Sequence, residues 1–357
     1  MNQLSALLES SKQVIRDCSL ENGAIVAANS FMPYYPKEAK NYLYVWPRDA
    51  AFTCLAAEKL GIDNIEQPFF DWLANRAEGW DKTGLFYEKY YVNGLQALSR
   101  FQPDQNGLIL FIVSRYLQTH PELKEKYQKL VEDTAFGLTK TWRNSSFSIP
   151  TNDLWEERMT YPDIEENFSY SLASCITGLR SANEAFPNKI FEETSVEMEK
   201  TLLGSAKSLG FFSRSFGKLN DERIDASLLG LIWPFQIIES SSEIARKTVD
   251  LIMERLVKND GVYRYEHDEY DGWMLNTGHR KKGAGYWPLL NFWLSIVLSQ
   301  MNRKDESMRY FQKVLADLNG KQYIPEQIFD NNIQVSVLPL CWSHSMFVMA
   351  AEELEVI

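Results

Sequence analysis

Histidine and cysteine are scarce, with four of each in 357 residues. His120, His267, His279 and His344 form no two-histidine zinc spacing, which argues against a transition-metal site. Cys18, Cys54, Cys175 and Cys341 lie far apart with no CxxC pair. They read as reduced, buried small hydrophobes rather than a disulfide framework. Basic charge is also short: 37 Lys and Arg against 48 Asp and Glu leave a net charge of −11. Such a chain has no electrostatic footing on nucleic-acid phosphates or anionic membranes, so neither is expected as a partner. No run approaches the ~18 apolar residues of a membrane span. The N-terminal MNQLSALLESSKQVIRDCSL carries scattered charges and no signal-peptide core. Taken as complete, the chain is expected in the cytoplasm. No GxSxG elbow, P-loop or GxGxxG occurs, and no cofactor is expected.

What the chain has in quantity is rings and helical periodicity. Its 10 Trp, 17 Tyr and 20 Phe must fill a large core or line a ligand cleft. In 122–142, Tyr127, Leu130, Val131, Leu138 and Trp142 share one face; in 286–300, Leu289, Phe292, Trp293, Ile296 and Val297 repeat at helical spacing. Similar segments fall near 2–17, 49–61, 63–78, 106–119, 165–184, 190–208, 222–238, 241–258, 303–318 and 340–354. Strand alternation is scarce, and no repeat or low-complexity linker divides the chain. About twelve helices in a single all-α domain, 1–357, predict a closed ring of helical hairpins, an inner barrel wrapped by an outer one. An open solenoid would require a recognisable repeat.

Long stretches at roughly 19–47, 79–105, 143–164, 259–285 and 319–339 lack helical periodicity. Loops of that length in a compact domain are usually functional. They hold YLYVWPRDA, FQPDQNG, NDLWEERM, YRYEHDEYDGW and YIPEQIFD. Each has an ordinary local explanation. Asp153 and Glu156 are spaced as a capping box at a helix start. Asp49 is placed to cap a helix beginning near Ala50. Glu326 reads as a loop glutamate, His344 as a satisfied histidine at a helix start, and 263–273 as a surface loop. These explanations do not account for Tyr42, Tyr44, Trp46, Arg48 and Asp49 crowding together. Aromatic faces cover the C–H surfaces of a hydroxyl-rich neutral ligand, and charged groups bond its hydroxyls. A carboxyl in an aromatic setting can also stay protonated near neutral pH while another remains ionised.

YLYVWPRDAAFT, NDLWEERM and PEQI followed by LPLCWSHSMFV together resemble glycoside hydrolase family 15, the glucoamylase and glucodextranase family. The resemblance runs from about residue 40 to the C-terminus, in the family's order. It implies an (α/α)6 barrel and inverting release of glucose from the non-reducing ends of α-glucosides. It places the general acid at Glu156 and the general base at Glu326. Arg48 and Asp49 would hold the terminal glucose, and Glu157 would contact the next sugar. Tyr42, Trp46, Asp153, Trp155, Arg264 and Trp287 would complete the sugar-binding set. The N-terminal β-sandwich and the starch-binding module of many members are not found, so short α-gluco-oligosaccharides are the expected substrates. FQPDQNG matches the family's Gln/Asp/Gly segment loosely, and GAGYWP replaces an Asn-Pro-Trp version. Both lie where the family binds the leaving sugar, which leaves linkage preference open. An oligosaccharide phosphorylase and an inactive sugar-binding protein on the same barrel are the competing classes.

Overall fold

In the computed structural model, residues 3–219, 221–272, 283–331, 334 and 336–357 are described. Trp273 and His279 fall outside them. The helices are α1 (Gln3–Cys18), α2 (Pro47–Leu60), α3 (Glu66–Arg76), α4 (Trp80–Thr83), α5 (Pro103–Thr119), α6 (Lys124–Thr141), α7 (Ser169–Ala185), α8 (Lys189–Ala206), α9 (Glu243–Leu256), α10 (Pro288–Gln300), α11 (Lys304–Leu318) and α12 (Cys341–Glu353).

Two kinds of helix are distinguishable by what they bury. In α10, every residue from Pro288 to Leu298 is buried, as expected of a helix surrounded by protein. In α9, burial falls on Ala245, Thr248, Val249, Ile252 and Leu256, and in α11 on Ser307, Tyr310, Phe311, Val314 and Leu318. Those are single stripes at helical spacing, facing inward from an outer layer. The inner elements pack in a closed circuit: α2 on α5, α5 on α7, α7 on the 3₁₀ segment Ala226–Leu231, that segment on α10, α10 on α12, and α12 on α2. The outer helices α1, α6, α8, α9 and α11 lie against this circuit. The chain therefore adopts the (α/α)6 fold.

One inner position departs from periodicity. Residues 222–238 read as an α-helix, but only Ala226–Leu231 is helical, and as 3₁₀. Pro234 cannot donate a backbone N–H and stops any continuation. The Gly230 position lies against the Tyr170 ring, where a Cβ would sit 2.8 Å from its carbons. The inner helices also begin earlier than expected. α2 starts at Pro47 with Trp46 as its N-cap, so Asp49 lies in the first turn and caps nothing. α5 starts at Pro103 rather than near 106. Proline suits the first helical position because its missing N–H would be unpaired there anyway.

The connections alternate in length. Inner elements lead to outer helices through short links such as 61–65, 186–188 and 301–303. Outer helices return through long loops at 19–46, 77–102, 142–168, 207–225, 257–287 and 319–340. The described residues of these loops therefore gather at the end where the inner elements begin. Short antiparallel strand pairs stiffen them, including Tyr87–Tyr90 with Gln96–Phe101 and Thr151–Asn152 with Met159–Thr160. His344 anchors one loop: its Nε2 accepts the Ile324 N–H (2.9 Å) and its Nδ1 meets Ser11 Oγ (2.8 Å). Burial lowers its pKa to about 3, so the ring is neutral. All four cysteines are free and buried. Among the described residues no helix is long and apolar enough to cross a membrane.

The closest inner crossing is α5 on α7, built on Gly107 and Gly178. A Cβ at Gly107 would lie 2.3 Å from the Ser174 carbonyl carbon, where only backbone could give way. Gly107→Ala is expected to cost about 1–3 kcal/mol as overpacking. A lowered urea midpoint with unchanged slope would report it; an unchanged midpoint would contradict the crossing.

Candidate active site

The long loops enclose a cavity of about 370 Å³ at the start of the inner helices, within the ~300–1,000 Å³ range of ligand pockets. Its lining includes Tyr42, Trp46, Arg48, Asp49, Trp155, Glu156, Glu157, Arg264, Trp287 and Glu326. Residues as far apart in sequence as Lys40 and Trp342 are thus closed into one site. Beneath the lining residue Trp342, Phe52 stacks on its ring (centroids 5.1 Å) and Trp293 follows (5.7 Å from Phe52). Both supporting rings are fully buried, so the cavity has a solid aromatic floor.

Arg48, in the first turn of α2, is buried among acids. Its Nη1 donates to Gln102 Oε1 and Asp104 Oδ2, both 3.2 Å, at the start of α5. Its Nε lies 3.4 Å from Asp49 Oδ1 and its Nη2 lies 3.7 Å from Glu156 Oε1. Its guanidinium carbon sits 5.5 Å above the Trp342 ring. Asp49 is buried, and burial pushes its pKa up to about 6 against the opposing pull of Arg48. Its Oδ1 has no hydrogen-bond donor within the protein. A buried carboxylate oxygen on a cavity wall is a ready acceptor for a ligand hydroxyl.

NDLWEERM does not start a helix. Asn152 and Met159 pair across a hairpin, and Asp153 caps its turn rather than a helix. One oxygen, Asp153 Oδ1, accepts the N–H groups of Glu157 (2.9 Å) and Arg158 (3.0 Å). Oδ2 accepts from Arg214 Nη2 at 2.6 Å. Both oxygens are occupied, and Asp153 is buried outside the cavity lining; expected to bind sugar, it instead holds the turn. Glu156 has φ +65°, a left-handed conformation costing a non-glycine residue roughly 1–2 kcal/mol. Strain of that kind clusters at functional sites.

The turn sends the adjacent glutamates to different partners. Glu156 accepts the Trp46 indole N–H, and 24% of its side chain is exposed, toward the cavity. Burial pushes its pKa up to about 8, helped by the neighbouring Glu88 carboxylate and opposed by Arg48 and Lys89. Glu157 accepts from Arg264 Nη2 (2.6 Å) and from the Tyr265 hydroxyl. Arg264 is held by Asp268 (2.7 and 2.8 Å) and lies within 5.3 Å of the ring centres of Trp155, Tyr265, Tyr270 and Trp287. Trp155 is fixed by its indole N–H to Asp225 at 3.0 Å.

Glu326 lies across the cavity lining on the 319–340 loop and is only 3% exposed. Its Oε1 accepts from Tyr42 (2.9 Å), whose hydroxyl is also 3.1 Å from that of Tyr270. Its Oε2 has no donor within the protein. Burial pushes its pKa up to about 7, while the Tyr42 bond, Arg264 and Lys40 restrain the rise.

Several lining residues were not singled out from sequence. Lys89, Leu98 and Arg100 come from the Tyr87–Phe101 strand pair, and Lys40 and Tyr270 from the loops. YEKYY interposes two charges in an aromatic run beside an NG turn, a signal of a wet-edged hairpin. The Val45–Tyr90 bridge, 2.9 Å in each direction, sets this strand beside Trp46. Among the described residues no cluster of His, Cys, Asp and Glu fits a metal ion.

Comparison with known proteins follows the same lines. The profile of a family described as "Glycosyl hydrolases family 15" matches residues 2–352. A glycosyl hydrolase of Methanocaldococcus jannaschii is 28% identical over 360 residues, covering 93% of this chain. The chain spans 53% of that relative's length. An isomaltose glucohydrolase of Kribbella flavida is 20% identical, with 99% of this chain and 93% of the relative aligned. A solved glycosidase variant in complex with glucose superposes with TM-score 0.81 at 19% identity, over 99% of this chain and 98% of that one. At that identity the likeness speaks to the fold.

Because Asp153 serves the turn, Asp153→Ala should act on stability rather than on sugar affinity. It strands Arg214, with Asp225 3.4 Å away as the remaining partner. The loss is expected near the lower end of the ~3–5 kcal/mol typical of a broken buried pair. Thermal unfolding checks it; a normal melting temperature with weakened sugar binding would restore Asp153 to the ligand.

Proposed function

The chain belongs to glycosyl hydrolases family 15 and is a glycoside hydrolase; within that family we propose an inverting, exo-acting α-glucosidase. It releases β-glucose from the non-reducing ends of short α-gluco-oligosaccharides. Glu156 is the general acid and Glu326 the general base. The observation that carries this reading is one cavity lined by two glutamates from distant loops, with pKa values raised to about 8 and about 7 by burial. Both values lie near neutrality, where a carboxyl can hold or accept a proton.

The closed floor supports exo action. A chain end can enter a cavity stopped by Trp342 and Phe52, whereas an internal glycosidic bond would need a through-going cleft. Asp49, on the cavity lining beside Arg48, is placed to accept from a hydroxyl of the terminal glucose. Trp46 and Tyr42 cover its apolar faces, and Glu157 with Arg264 meets the next sugar.

Glu156 transfers its proton to the glycosidic oxygen as the bond to C1 breaks. Water attacks C1 from the opposite face, and Glu326 takes a proton from that water. Oε2 of Glu326 has no donor within the protein, whereas Oε1 is engaged by Tyr42. Inverting catalysis asks for carboxyls roughly 6.5–9.5 Å apart, leaving room for the water. Glu326 then loses its proton and Glu156 regains one from solvent. A phosphorylase would need no such base, and a sugar-binding protein would need neither proton carrier.

Glu156→Gln and Glu326→Gln are each expected to lower kcat by at least ~10²-fold, with the fold intact by circular dichroism. Near-normal hydrolysis in either variant would overturn the pair. Proton NMR of the first product should show β-glucose. A panel of maltose, isomaltose, kojibiose, nigerose and trehalose, with and without phosphate, identifies the linkage; strict phosphate dependence would mean phosphorolysis.

The two carboxyls also predict a bell-shaped pH profile of kcat/KM. Below about 7, Glu326 gains a proton and ceases to be a base; above about 8, Glu156 loses one and ceases to be an acid. The maximum should lie between these limbs. Activity that keeps rising past pH 9 would contradict Glu156 as the acid.

A further inference from the structure

Two tyrosines outside the cavity lining continue its aromatic wall toward the surface. Tyr42, Tyr44 and Trp46 occupy every second position of the segment that enters α2, and the Tyr42 ring lies 5.4 Å from that of Trp46. The Tyr44 ring stands edge-on to Trp46 at 5.9 Å, and the Tyr91 ring lies 5.4 Å from Tyr44. Trp46 is 5% exposed, Tyr44 is half-buried and Tyr91 is 47% exposed, so the row runs from the cavity outward.

Lys89 ties this row to the cavity. Its ammonium stands 4.9 Å from the centre of the Trp46 ring and 5.5 Å from that of Tyr44, and Lys89 itself lines the cavity. Leu98, opposite Lys89 across the strand pair, lines it too. Tyr44 meets both Lys89 and Tyr91, so the exposed tyrosine lies on the cavity side of the hairpin. The turn that carries Tyr91 is held firmly. Tyr90 bridges Val45 through two backbone bonds of 2.9 Å. The Val92 carbonyl accepts the Trp72 indole N–H at 3.0 Å and the Asn22 amide at 2.9 Å. Gly94, at φ +96°, lies against the Arg76 backbone, where a Cβ would meet the carbonyl oxygen at 2.1 Å. An exposed ring on a fixed backbone loses little freedom when a ligand covers it.

We propose that Tyr44 and Tyr91 form an outer platform for substrate, covering the apolar C–H faces of glucosyl units beyond the sugar that Glu157 and Arg264 meet. The identity of this ligand rests on the α-glucosidase reading above. Tyrosine suits the place, with an apolar face for the sugar ring and a hydroxyl left in water. The occupant follows from continuity with the cavity: a chain whose end is held at Trp46 has its remaining units directed outward along the row. The platform selects linear oligosaccharides of three or more units. Trehalose, with both anomeric carbons in its one linkage, has no unit to place there.

The test is calorimetric titration of the full chain carrying Glu326→Gln, which slows turnover, with maltose, maltotetraose, isomaltose, isomaltotetraose and trehalose. In at least one series the tetrasaccharide is expected to bind about 3–10-fold more tightly than its disaccharide, the gain from one or two aromatic contacts. Tyr91→Ala should abolish that gain, and Tyr91→Phe should keep it. Tetrasaccharides that bind no better than disaccharides overturn the proposal, as does failure of both series to bind. A merely structural role would weaken both lengths alike; an unchanged ratio in Tyr91→Ala therefore also overturns it. If Tyr91→Ala does not fold, Tyr91→Leu decides, because it keeps apolar cover on Tyr44 without the ring. Glucose release by the unsubstituted protein keeps the two readings apart. Release from disaccharides without any length-dependent affinity upholds the α-glucosidase and rejects the platform. Length-dependent binding that Tyr91→Ala abolishes, with no glucose released, upholds the platform and rejects the exo-acting α-glucosidase.

Discussion

The cavity depends on how Arg48 is held. One guanidinium, buried at the start of α2, bonds Asp104 and Gln102 at the start of α5, stands over Trp342 of α12, and reaches both Asp49 and Glu156. Three inner helices and one loop hairpin thereby meet at a single rigid group. A planar, permanently charged fork can serve several oxygens at once, which a lysine ammonium at this place could not. Its charge also offsets the clustering of Asp49, Asp104 and Glu156, which would otherwise repel one another in a dry site. The acids are the chemistry, and Arg48 is what allows them to be buried together.

Burial does a second job. Taking a carboxyl out of water raises its pKa whatever its role, so desolvation alone would push Glu156 and Glu326 the same way. Their difference comes from what each touches. Glu326 receives the Tyr42 hydroxyl and feels Arg264 and Lys40, which favour its charged form. Glu156 has a carboxylate neighbour, which disfavours it. The roles proposed for them as acid and base must come from their surroundings, since both are glutamates.

The fold was readable because periodicity reports burial directly. The stripe of α11 is buried at the spacing read from sequence, whereas α10, read as one-faced, is buried all round as an inner helix. The 222–238 segment was misread because its apolar residues are continuous enough to suit either helix type, and Pro234 was given too little weight. NDLWEERM was misread as a helix start because Asp and Glu three apart suit a capping box and equally suit a turn whose aspartate gathers N–H groups. The glutamates themselves were found through their motifs. The pairing of Glu88 with Asn152 was not legible, because it crosses 64 residues with no local pattern.

The turn in NDLWEERM resolves which of two neighbouring glutamates is placed for chemistry. In an extended strand Glu156 and Glu157 would point to opposite faces, yet here both line one cavity. The left-handed backbone at Glu156, stabilised by Asp153 gathering the next two N–H groups, breaks that alternation. Glu156 turns to Trp46, Arg48 and Glu88; Glu157 turns to Arg264 and Tyr265. Burial pushes the Glu157 pKa up, and its 2.6 Å ion pair with Arg264 opposes that rise while fixing the carboxylate in place. Glu156 meets Arg48 only at 3.7 Å and leans on another acid, which keeps its proton in place. Backbone strain in one residue sends two identical side chains to different partners, which fits the proposed division of labour and would be a functional return for a conformation that glutamate otherwise avoids.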